Sequence, residues 1–449
     1  VHGRRNPASW APRPAGNGTR AEGVAGIRRM RWIACPAIVL ALLLCGLPGS
    51  GWAADSTGIA VFLDGLPVQF DVPAMIIDGR TMVPFRAIAE ALHVTVTWEP
   101  SRRLVLAVGE RAHVLLQVGS NTAHLNGLPH LLEVPPVIVA DRTLIPLRFF
   151  AEAFGCRVEW SAATRTVAIT SPPLKLVVIG FYALGDAETS SWTDLFGAPF
   201  PAKAGGHTDL VSELALGWYT IDAQGNLLTW SPRTAWQRPR GWEEVLSAAR
   251  QFGLRTEMVV HETETGGLLS AVLGDEERIA RAARAIALAA VRYDGVNLNL
   301  EKLGLYAQGE EQRRVQESFT RLVAELAPLL REAGRTLTLT LHPPNSSFRG
   351  YDYPALGRLA DRIIIMAHDY GPRPEPLDRV IEAIELAVAS VPRDRLILGI
   401  SIPSENPESL IAKVGVAKRY RLQGISLWRL GLLTDDEWAA LRKAVAVRP

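Results

Sequence analysis

Asn297, Asn299 and Glu301 occupy every second position of the run Tyr293-Asp294-Gly295-Val296-Asn297-Leu298-Asn299-Leu300-Glu301. Side chains of an extended strand alternate between its faces, so these three polar groups share one face and Val296, Leu298 and Leu300 the other. A carboxyl group at the end of such a face suits proton transfer, as an acid toward a leaving group and then as a base toward water. If the run is an inner strand of a parallel barrel, the polar face lines its interior. Glu301 then sits at the carboxyl end, where barrels of this kind carry their chemistry.

Elements that could hold such a strand follow residue 173. Apolar runs of strand length span 174–181, 210–219, 255–261, 295–301, 337–342, 363–368, 396–402 and 425–430, and amphipathic helical patterns fill 242–252, 275–292, 311–333, 377–391, 407–418 and 435–446. About eight strands alternating with helices over roughly 275 residues predict an α/β chain closed as a (β/α)8 barrel over 174–449. A doubly wound open sheet is the alternative, but Gly180-Phe181-Tyr182 after the first run lacks a glycine-rich phosphate loop. Further candidate site residues stand at the ends of the other runs: Tyr182, Trp218, Glu262, the series His368-Asp369-Tyr370, and Trp428.

The 294–301 run resembles the fourth-strand signature of glycoside hydrolase family 18, Asp-Gly-x-Asp-x-Asp-x-Glu, with Asn297 and Asn299 at the second and third aspartate positions. Its Gly-Val-Asn wording is most similar to the spore-cortex and cell-wall branch. Met366-Ala367-His368-Asp369 is similar to the family's Met-x-Tyr-Asp, with His368 in the tyrosine place, and Trp428 stands where the family puts the aromatic floor for the reacting sugar. The resemblance implies substrate-assisted retaining hydrolysis of polymers containing N-acetylglucosamine. Glu301 would be the general acid and base, and Asn299 would hold the substrate acetamide through its amide carbonyl. Asp294, Asn297, Tyr182, Trp218, Glu262, His368, Asp369, Tyr370 and Trp428 would bind substrate. Exchanging a charge-assisted hydrogen bond for a neutral one at Asn299 costs on the order of 1–2 kcal/mol. Without acidic neighbours, Glu301 depends on burial to stay protonated, and an acidic pH optimum is expected. A non-catalytic sugar-binding protein of the wall is the alternative, favoured by the loss of both aspartates.

Residues 57–171 contain an internal repeat with an offset of about 62. Leu63-Asp64-Gly65-Leu66-Pro67 returns as Leu125-Asn126-Gly127-Leu128-Pro129, Arg80-Thr81-Met82-Val83-Pro84 as Arg142-Thr143-Leu144-Ile145-Pro146, and Trp98 as Trp160. Each copy reads as a hairpin turning at Asp/Asn-Gly, a helix started by proline, and a second hairpin, giving a smaller α+β domain whose copies pack together. The region resembles the copper amine oxidase N-terminal-like domain. That resemblance implies attachment to cell-wall polymer. No metal is expected, because His93, His113, His124 and His130 lack ligand spacing.

Net charge near +2 gives no ground for a nucleic-acid partner. Residues 1–29 are rich in Gly, Pro, Ala and Arg and read as a disordered or non-native extension. Residues 30–54 read as a secretory signal: Arg28, Arg29 and Arg31 flank an apolar run from Trp32 to Leu47 that ends in small residues. That run is shorter than the roughly 20 residues of a membrane span, so no stable span is expected after signal removal, and the product is expected to be secreted or associated with the wall. Cys35 and Cys45 would leave with the signal, so Cys156 alone could form no disulfide framework. Neither a metal nor an organic cofactor is implied.

Overall fold

The computed structural model describes residues 58–183, 190–234 and 236–447; the proposed extension and signal lie outside them. Eight parallel strands close a barrel: β1 (Leu174–Tyr182), β2 (Glu213–Ile221), β3 (Arg255–Thr263), β4 (Gly295–Glu301), β5 (Thr336–Leu341), β6 (Arg362–Ile365), β7 (Leu396–Ser401) and β8 (Gly424–Trp428). Each pairs with the next, and β8 returns to β1 through Val177↔Gly424 to Gly180↔Leu427. Helices cover the outside at the places their periodicity predicts. The helix Glu276–Ala289 starts at Asp275, whose carboxylate accepts from the amides of Glu277 (3.0 Å) and Arg278 (3.1 Å), satisfying donors that the first turn leaves open. Three shorter helices, Ser191–Phe196, Leu268–Leu273 and Tyr353–Leu359, have too few turns to show in the pattern.

Two cores separate inside from outside. Val177, Ile179, Phe181, Ala215, Val259, Ile364 and Ile397 fill the barrel, and a much larger cluster lies between strands and helices. Alternation along each strand decides membership: on β1 residues 177, 179 and 181 point in, whereas Val178 and Tyr182 point out.

The repeats form the smaller sheet domain with a nearly constant displacement. The strands Ala60–Leu63, Met75–Ile77, Arg80–Pro84, Thr95–Glu99 and Leu104–Val108 and the helix Phe85–Ala91 recur as Thr122–Leu125, Val137–Val139, Arg142–Pro146, Arg157–Ser161, Thr166–Thr170 and Leu147–Ala153. Val83 pairs with Ile145, its own repeat mate, in an antiparallel ladder, so a pseudo-two-fold axis passes through that pair. Copies also exchange strands: Ala60–Leu63 runs parallel to Thr166–Thr170. The domain rests on the barrel helix Pro407–Arg419. Lys418 reaches Asp64 (3.5 Å) and Ser171 (3.0 Å), and the backbone of Gly415 lies so near Asp64 that a Cβ there would come within 2.3 Å of its carbonyl oxygen.

Candidate active site

At the carboxyl end of the barrel, β4 delivers Glu301 with its side chain 20% exposed. Tyr351, fully enclosed, donates to the Leu300 carbonyl (2.9 Å) and so fixes the end of the strand. Asn299 is buried and donates through Nδ2 to Glu301 Oε1 (3.0 Å), while its Oδ1 has no hydrogen-bond partner among the described residues. A buried carbonyl left unpaired is costly, so this oxygen has spare capacity to accept a hydrogen bond. From β3, His261 Nε2 lies 3.3 Å from the same Glu301 oxygen. His342, just past the end of β5, is half-buried, and burial pushes its pKa down to about 4 against the opposing pull of Glu301.

Burial raises the Glu301 carboxyl, but the His261 contact, the fields of His261 and His342, and the Asn299 hydrogen bond together outweigh it and hold the group below the usual carboxylate value. Burial therefore does not keep Glu301 protonated, contrary to the expectation from sequence; the histidine on the neighbouring strand reverses the balance. An NMR titration of the Glu301 carboxyl carbon is expected to give a midpoint below that of a free glutamate. In His261→Phe, which keeps an aromatic ring and removes the donor, the midpoint is expected to rise. An unchanged midpoint would show that His261 does not set it.

Aromatic rings close the mouth. Trp428 ends β8 and meets Phe181 edge-on at 5.3 Å between centroids. Trp236, from the loop after β2, stacks on Trp428 (5.4 Å, 13° between planes) and on His261 (4.1 Å, 22°). Gly217 on β2 makes room for it: a Cβ there would lie 2.7 Å from the Trp236 ring. Arg233 reaches back from the same loop to the buried Glu262 (3.4 Å).

The spore cortex-lytic enzyme SleL of Bacillus cereus superposes with a TM-score of 0.50 at 15% identity, over 62% of this chain and 76% of that one. A class V chitinase of Pseudomonas fluorescens Pf-5 gives 0.50 at 16%, over 60% of this chain and 99% of that one. The barrel has the fold of these enzymes. Residues 62–169 match the family model described as the copper amine oxidase N-terminal domain. A curated relative, "Putative sporulation-specific glycosylase YdhD" of Bacillus subtilis (strain 168), is 28% identical over 120 residues, 24% of this chain; the match spans 27% of that protein.

Within the barrel the residues expected from sequence separate into groups. Glu301, Asn299 and Trp428 come to the mouth, together with His368 beside His342. Asn297 does not: it is fully enclosed deeper in the barrel, donating to Glu257 (3.1 Å) and accepting from Thr340 (2.7 Å). Asp294 stands at the amino end of β4, bound to the Thr256 amide (2.8 Å), about 20 Å along the strand from Glu301. Tyr182 and Trp218 point outward and meet edge to face beneath the helices. Glu262 also faces away from the interior and is occupied by Thr220 (2.8 Å), its neighbour's amide (Thr263, 2.9 Å) and Arg233. Asp369 lies 3.1 Å from His368 but is turned outward, 80% exposed, and Tyr370 donates to Asn345 (3.0 Å). His261, His342, Phe181 and Trp236 are the site residues that the sequence reading passed over. Among the described residues, no three His, Cys, Asp or Glu side chains converge to hold a metal, and no helix is long and apolar enough to cross a membrane.

Proposed function

We propose that the chain is a secreted or wall-associated glycosidase that cleaves polymers containing N-acetylglucosamine, peptidoglycan or spore cortex ahead of chitin, by substrate-assisted retaining hydrolysis. The observation that carries this is the pair at the end of β4: a carboxyl group at the barrel mouth beside a buried amide carbonyl that has no partner among the described residues. Asn299 Oδ1 accepts the N–H of the substrate's acetamido group and turns its carbonyl oxygen toward the anomeric carbon. That oxygen attacks as Glu301 gives its proton to the leaving glycosidic oxygen; water then opens the cyclic intermediate while Glu301 takes a proton back. Because Glu301 must begin protonated and its pKa is held down, kcat/KM falls as pH rises out of the acid range. Digestion of peptidoglycan sacculi and of colloidal chitin, with product masses and new reducing ends as readouts, tests the proposal. Release from neither polymer at any pH between 3 and 8 (on the order of the range spanned by carboxyl and histidine titration) would overturn it.

Trp236 covers the face of Trp428 on which a sugar ring would stack. Substrate therefore binds after Trp236 swings aside, and the stacking lost costs about 0.5–1.5 kcal/mol per ring pair. Trp236→Ala is expected to lower KM for a short acetamido-sugar oligomer by about tenfold, the penalty for a mostly closed site. A rise in KM would instead make Trp236 part of the sugar platform.

A further inference from the structure

The pseudo-two-fold axis of the repeat domain creates the same groove twice. One groove, about 510 Å³, takes Arg80 and Thr81 from the first copy and Glu133, Arg148, Glu152 and Trp160 from the second. The other, about 580 Å³, takes Arg142 and Thr143 from the second copy and Asp71, Arg86, Glu90 and Trp98 from the first. Each of these residues sits 62 positions from its counterpart. Even the ion pairs at the edges correspond, Arg80 with Glu133 and Arg142 with Asp71, each joining one copy to the other.

Each groove has the same chemical plan. An indole lines each groove, 40% exposed at Trp160 and partly packed on the core at Trp98, together with the exposed arginine and glutamate of the short helix, which lie 3.5 Å apart in the second copy. Aromatic surface beside a few convergent polar groups is the lining expected of a ligand pocket, and a sugar ring has matching chemistry, with C–H faces for the indole and hydroxyl or amide edges for the charged groups. Two equivalent grooves suit a ligand that presents one unit many times over. We propose that the repeat domain holds uncut acetamido-sugar chains in these two grooves, keeping the barrel on its polymer. This rests on the substrate class proposed above. The grooves differ most in their aromatic lining: His130 lies against Phe149 (5.0 Å) in the groove that holds Trp160, where the first copy has Val68 and Ala87, so the Trp160 groove binds more tightly.

Co-sedimentation of the full-length chain with peptidoglycan sacculi and with colloidal chitin tests this, using a Glu301→Gln background so that nothing is cut. Trp160→Ala is expected to weaken sedimentation about tenfold, Trp98→Ala less, and the double variant about a hundredfold, because linked sites multiply affinity. Arg86→Glu with Arg148→Glu changes only exposed side chains and is expected to weaken it at least about fivefold; this pair decides the matter if the tryptophan variants prove unfolded by circular dichroism. Sacculi against chitin identifies the polymer. The proposal is overturned if a folded double variant, or the arginine pair, sediments like the parent, or if the parent binds neither polymer. Cutting of a short soluble oligomer, measured with Glu301 intact, is read separately: loss of cutting with tryptophan-dependent sedimentation would remove the glycosidase reading and leave the grooves.

Discussion

Glu301→Gln is expected to reduce kcat on an acetamido-sugar polymer by about 10²–10⁴-fold while leaving KM within about threefold, the signature of a lost proton-transfer group rather than a lost binding contact. Glutamine keeps the shape of the side chain and an oxygen for the Asn299 amide, so the end of β4 is not disturbed. What it removes is the proton that the leaving oxygen needs. Changing the orienting group has a different signature: Asn299→Ala takes away both the donor to Glu301 and the free acceptor Oδ1. Equal binding by wild type and Glu301→Gln, with no reducing ends from either, would leave a sugar-binding protein in place of an enzyme. Measuring both reducing ends and binding separates the cases.

Much of this site was legible because one rule, alternation along a strand, identifies which face Glu301 and Asn299 share. Asn297 on β4 and Asp294 at its amino end lie too far from the carboxyl end, whereas Glu262 and Tyr182 are turned outward by alternation on their own strands. On β3, Glu257, Val259 and His261 follow one another on the inner face, and the period puts Glu262 outside. On β1 it puts Phe181 inside and Tyr182 outside. Standing at a strand's carboxyl end is therefore only half of the condition for reaching the mouth. Trp236 had no such signal of its own, since its loop lies between elements; Gly217, a bare position on an inner strand face, marks where a ring must fit. The repeat domain was legible almost throughout because its displacement of 62 is uninterrupted, and the pairing of Val83 with Ile145 turns that displacement into an axis. Which faces the axis would leave open as grooves depends on strand exchange between copies, and spacing along the chain carries no record of it.

Arg362→Met is expected to destabilise the barrel by about 3–5 kcal/mol, a large part of the 5–15 kcal/mol available to a folded domain. Arg362 lies in the barrel floor, 5% exposed, with Glu213 and Glu257 at 3% and 1%. Its guanidinium donates to Glu213 (2.9 Å), to Glu257 (2.7 Å) and to Thr338 (2.8 Å). Burial opposes its charge, but the two carboxylates outweigh burial and push its pKa up. Removing the cation takes from two buried carboxylates the counter-charge that pairs with both. Asn297 belongs to the same network, since its Nδ2 donates to Glu257. An aspartate there would set a third carboxylate in the network beside Glu257, whereas the amide donates to it. Accordingly Asn297→Asp is expected to destabilise the fold and to give no gain in activity. Combining Arg362→Met with Glu213→Gln and Glu257→Gln is expected to restore most of the lost stability, because no charge then remains unpaired. Urea unfolding of the single and triple variants checks this. If the triple variant is no more stable than Arg362→Met alone, the cost lies in packing around the arginine and not in its charge.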